Sequence, residues 1–175
     1  MITLNYAFWI LVFLFAIIGA MRGWAKELLV SFAVIVGLFI IAIMQRFAPE
    51  ALRAFLLGSG KPQFWIQTSI ILFMAFFGYQ TPNIARIGPG RFVREKFSDA
   101  LLGFFLGAFN GWLIVGSIWY FMEMSKYPFV PNITPPPTDL VITNYLPPKL
   151  LIANNSPTIY FAVAISFLFV LVVFI

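Results

Sequence analysis

The chain has 175 residues, of which 62% are apolar and only 10% charged, with a mean hydropathy of +0.97. Soluble domains carry about 25% charged residues, so this composition excludes a soluble globular enzyme, a disordered linker and, despite a pI near 9.8, a nucleic-acid-binding module. It describes an integral membrane protein, whose net charge of +5 suits anionic lipid headgroups because the basic residues alternate with apolar spans. The absent residue types narrow the chemistry further. The chain holds neither cysteine nor histidine, which removes disulfides, thiolate metal sites, the commonest general base and the usual haem ligand.

Five apolar runs follow one another at 4–20, 28–44, 64–79, 100–122 and 159–175. An α-helix rises about 1.5 Å per residue, so roughly 20 residues cross a ~30 Å hydrocarbon layer. The expected fold is all-α, a polytopic membrane protein of five transmembrane helices. The run at 64–79, interrupted by Gln67, Thr68 and Ser69, is the weakest of them. No positive charge precedes the first run, so it is not a cleavable signal peptide. With the connections assigned alternately to the two sides, 21–27 and 80–98 hold six Lys or Arg in 26 residues, against five in the 55 residues of 45–63 and 123–158. Basic loops face the cytoplasm, which puts the N-terminus outside and the C-terminus inside.

Two connections have a character of their own. Residues 46–57, with Pro49 near the start and Gly58 beyond the end, read as a short interfacial helix with Leu52, Phe55 and Leu56 on one face. Residues 123–158 hold 8 of the 12 prolines and read as a stiff, irregular strap outside the membrane. The strap joins a four-helix unit, 1–122, to the last helix, 159–175. Its apolar residues, Leu146 and Leu150 among them, are expected on the bilayer surface or against a partner.

Within the spans, Gly103, Gly107 and Gly111 recur every four residues, a spacing that stacks them on one helix face and lets another backbone approach. Ala16, Gly19 and Gly23 at the end of the first span form the natural mate, so packing within the chain is favoured over self-association. Asn110 and Gln67 are polar at membrane depth. Asn110 is expected to bridge two helices with a hydrogen bond contributing about 1 kcal/mol; together with Gln67 or Thr68 it would furnish the polar cavity that a transporter needs. Ser98 and Asp99 are expected to cap the fourth helix. Glu27 is expected to pair with Arg22 or Lys26 at the inner surface, contributing about 0–1 kcal/mol. No carboxylates converge and no phosphate loop follows a strand, so neither catalysis, a metal nor a cofactor is expected, beyond contact with lipid or quinone.

Two stretches carry a family resemblance. Gly19-Ala20-Met21-Arg22-Gly23-Trp24-Ala25-Lys26-Glu27-Leu28 is similar to the G-x-x-R-G-aromatic-x-R/K-E-x-L junction of the colicin V production protein (CvpA) family. Phe97-Ser98-Asp99-Ala100-Leu101-Leu102-Gly103, running on through Gly107 and Asn110-Gly111, resembles that family's D-R-L-L-G-x-x-x-G-x-x-R-G stretch, with Ala100 and Asn110 where the family carries arginine. The resemblance covers residues 1–122 and implies a multi-span protein of the bacterial inner membrane without established enzymatic chemistry, its junction marked by Arg22, Gly23, Lys26, Glu27 and Asp99. The expected function is a non-catalytic membrane scaffold or accessory subunit, packed by the lipid bilayer and by other transmembrane subunits of a larger complex, respiratory or photosynthetic. A free-standing export or envelope factor and a small transporter or channel are the alternatives.

Overall fold

The computed structural model describes residues 4–50, 60–80, 93–129, 133, 136, 141–152 and 157–174. Every regular element among them is helical: α1 (Leu4–Arg22), α2 (Trp24–Phe47), α3 (Lys61–Tyr79), α4 (Val93–Met124), a 3-10 turn (Val141–Tyr145), α5 (Pro147–Leu151) and α6 (Thr158–Phe174).

The long helices outrun the apolar segments that seed them, because a backbone in lipid must bond to itself and gains nothing by stopping where the apolar side chains stop. The connection expected at 21–27 therefore shrinks to one residue, Gly23, with Arg22 closing α1 and Lys26 and Glu27 in the first turns of α2. Arg46 and Phe47 likewise belong to α2, which ends at an extended Ala48 before Pro49, the conformation proline favours in its predecessor. Of the interfacial helix expected over 46–57, residues 51–57 lie outside the described residues. Because α4 starts at Val93, Ser98 and Asp99 stand inside it and cannot cap it.

Among the described residues, three helices are long and apolar enough to cross a bilayer, α1, α2 and the Lys96–Met124 part of α4. The two others expected as spans fall short of that measure. Lys61, Gln63, Gln67, Thr68 and Ser69 dilute α3, and α6 has 17 residues.

Helix directions follow from the contacts. Gly19 meets Gly103 and Gly107, while Val12 meets Gly111 and Phe8 lies by Gly116, so α1 runs antiparallel to α4. From Gly23, beside Gly103, α2 rises with α4 and reaches Asn110 through Ser31. Helices α3 and α6 run against α2, as Gly78 beside Val30, Gly37 beside Ile71, and the ring pairs Phe32–Phe167 and Phe39–Tyr160 show. Thus α4 lies in the fork between α1 and α2, and α2 is the hub, with Val30, Val34 and Leu38 fully buried. Between apolar helices in lipid the driving force is close packing rather than expulsion of water.

The strap does not lie wholly beyond the helix ends. Its 3-10 turn and α5 fold back beside the last third of α4, where Leu146 is fully buried with Phe8, Val12 and Trp119, Pro147 sits at Gly116, and Lys149 pairs with Glu123 at 3.0 Å. The partner expected for its apolar residues is, at Leu146, the bundle itself; Leu150 stays exposed.

Candidate functional site

The two motif stretches, 19–28 and 97–111, meet in space. Between them lies the junction of α1 and α2 at Gly23, whose φ of 88° and ψ of 155° belong to a region open essentially to glycine. A Cβ at Gly23 would also stand 2.8 Å from both carboxylate oxygens of Asp99. Those oxygens are there for a reason. The first N–H groups of any helix lack partners within it, Gly23 brings no side chain to cap α2, and Asp99 of α4 accepts the Trp24 N–H at 3.0 Å instead. Asp99 therefore caps its neighbour.

One turn further into the bundle, Glu27 is fully buried. Arg22 Nη1 lies 3.3 Å from its Oε1, and Asn110 Nδ2 donates to its Oε2 at 2.8 Å and to its backbone oxygen at 2.9 Å. Ser31 Oγ lies 2.6 Å from Asn110 Oδ1 and 3.2 Å from the same Glu27 backbone oxygen. The Asn110 amide thus uses both its donors and its acceptor, joining α4 to α2 at three points. Arg22 also reaches α3: its Nη2 donates to the Tyr79 backbone oxygen at 3.2 Å, and its guanidinium stands 4.3 Å from the centre of the Tyr79 ring. Both charges occupy helix ends that favour them, Arg22 the last turn of α1 and Glu27 the first of α2. The pair expected at the inner surface is instead the polar centre of a four-helix contact, and the weak energetics of exposed pairs do not apply to it.

Beside this cluster the glycines bring two backbones together. A methyl group at Gly19, Gly103 or Gly107 would overlap main-chain atoms of the facing helix, and at Gly111 it would stand 3.0 Å from the Val12 Cα. Ala16 is buried in the same seam. Lys26 is half-exposed and makes none of the bonds described.

Gln67 is buried, but far from Asn110. It lines a crevice with Ile41, Met44, Gln45 and Ile70, whereas Asn110 lies at Glu27 and Ser31, about 15–20 Å away along α2 by helix rise. The crevice has room for about one water molecule. The polar cavity that a transport path through Asn110 and Gln67 requires is not formed by these residues.

Sequence reasoning missed Ser31 and Tyr79 as members of the cluster, and the burial of Glu27. The signal lay in the run itself: once α2 is taken to start at Trp24, Glu27 and Ser31 fall one turn apart on one face.

A model of the family described as Colicin V production protein matches residues 4–135, from the start of α1 into the strap. No curated protein and no solved structure matches the chain.

Proposed function

The chain belongs to the colicin V production protein family, and from that premise we propose that it works without catalysis or cofactor, as a helical scaffold of the bacterial inner membrane. In this reading α3 and α6 cross the bilayer with the other three long helices, the N-terminus lies outside and the C-terminus in the cytoplasm. The alternating helix directions and the denser basic connections on one side support it. The observation that carries the reading is the junction. Arg22, Glu27, Ser31, Asn110 and Asp99 make their bonds to one another and to main-chain groups of neighbouring helices, which is how a clamp is built rather than a site for substrate.

Among the described residues, many aromatic and aliphatic side chains of the long helices face outward, Trp9, Phe13, Phe73, Phe105, Phe161 and Val172 among them. Such a surface suits lipid and the transmembrane helices of a larger assembly. Native mass analysis of the protein, gently solubilised from its own membrane, tests the assembly: co-migration with another membrane protein is expected, and a lone monomer with its strap intact defeats it. The family's description, colicin V production, favours a second reading, a free-standing export or envelope factor. Deleting the gene separates the two, since envelope stress with every membrane complex intact belongs to the second alone.

A further inference from the structure

The folded-back part of the strap lies deep. The 19 described residues of α1 make about 28 Å of helix, close to the thickness of the hydrocarbon layer, so an α1 that crosses it carries Leu4 at the level of one edge. Phe8 lies one turn below this edge, at the level of Gly116, where a Cβ would meet Phe8 Cε2 at 3.6 Å and Pro147 Cδ at 2.7 Å. One turn deeper along α4, Trp112 Nε1 donates to the Tyr145 backbone oxygen at 3.1 Å. The 3-10 turn and the start of α5 therefore stand about 6 Å or more inside the hydrocarbon level.

The inward face of this segment is closed. Leu146, Pro147 and Pro148 are buried, and the two prolines bring no N–H that would need a partner. The outward face differs. Asn144 is exposed and Tyr145 is 59% exposed. An amide side chain in lipid forfeits its hydrogen bonds, and non-helical backbone persists at this depth only when protein buries it or when it lines water. At the end of the segment nearest the bilayer edge, the Glu123–Lys149 pair is itself part-exposed.

We propose that this face of the protein is wet: the 3-10 turn and α5 floor a water-filled recess that enters the bilayer from the side on which α4 ends, with Asn144 and Tyr145 facing the water. The inference is independent of the scaffold reading and adds a hydrated surface to it.

Because the chain contains no cysteine, Asn144→Cys and Tyr145→Cys each give the full-length protein a single thiol. Met124→Cys, at the end of α4, serves as the water-exposed reference, and Phe105→Cys, 61% exposed in the opposite half of α4, as the lipid reference. In native membrane vesicles, a membrane-impermeant maleimide supplied from the side that labels Met124→Cys should label both strap thiols. They should react at least about tenfold faster than Phe105→Cys, since only a hydrated thiol ionises and reacts. Neither substitution removes a buried side chain, and the two thiols report separately. Protection in membranes that disappears in mild detergent means a partner protein covers the face, and overturns the recess while favouring the scaffold. Protection in both, together with quenching of a fluorophore at Asn144→Cys by brominated lipid, means lipid contact and overturns it too.

Discussion

Glu27 cannot lose one partner without consequence. It is fully buried, so removing Arg22 leaves a carboxylate without its counter-charge and with only the Asn110 amide beside it, a kind of change that costs about 3–5 kcal/mol. We expect Arg22→Met to lower the unfolding free energy in mixed micelles by that order, and Arg22→Met with Glu27→Leu to recover much of the loss. Simple additivity of the two single substitutions would show that the pair is not coupled. Asn110→Leu deletes two donors and one acceptor at once and should cost about 1–3 kcal/mol, read by the same titration. Asp99→Ala removes only a cap, from an exposed position, and should cost about 1 kcal/mol; a loss as large as that of Arg22→Met would mean that Asp99 does more than hold the Trp24 N–H. The sequence shows Arg22, Glu27, Asp99 and Asn110 as the residues to watch. The Arg22–Glu27 pairing, five positions apart, is legible there; that Asp99 caps Trp24 and Asn110 holds Glu27 is not, because those partners lie 75 and 83 positions apart in the chain.

At the scale of the helix, the glycine seam decides how α1 and α4 meet. Gly107 faces the Phe15 backbone oxygen and Gly19, and neither can yield as a flexible side chain would. Gly107→Val should separate the helices and destabilise the protein by about 1–3 kcal/mol, whereas Leu102→Val, at an exposed position of the same helix, should change little. Thermal aggregation of the detergent-solubilised variants measures the contrast, and equal behaviour of the two would remove the seam from the explanation. The strap is fastened by fewer contacts, and Glu123→Gln weakens the one ion pair described there. Limited proteolysis within 141–152, the segment that Lys149 holds to α4, should become faster in that variant while α1–α4 stay intact. The glycine spacing was legible beforehand because period four on a helix means one face. The re-entry of the strap was not, since nothing in a proline-rich sequence states that Pro147 fits the notch left by Gly116.

Over the whole molecule, α1, α3 and α6 begin at the same end of the bundle and α2 and α4 at the other, so one sidedness fixes all of them. Fusing a reporter that is active only outside the cytoplasm after Met124 should give activity, and fusing it after Tyr79 should give none; the reverse pattern would invert the orientation. What the sequence determined by itself was the solvent. With 10% charged residues the chain must lie in lipid, and there continuous apolar runs of this length form helices, since barrel strands are shorter and alternate, so class and approximate helix positions follow from composition and run length alone. Only the tertiary structure decided where the few polar groups go. A charge near a span end can face water or a neighbouring helix, and the choice depends on how closely the helices approach. Here Gly19, Gly23, Gly103 and Gly107 let three helices close over Glu27, and that closure turns a pair that reads as superficial into a contact whose carboxylate is fully buried.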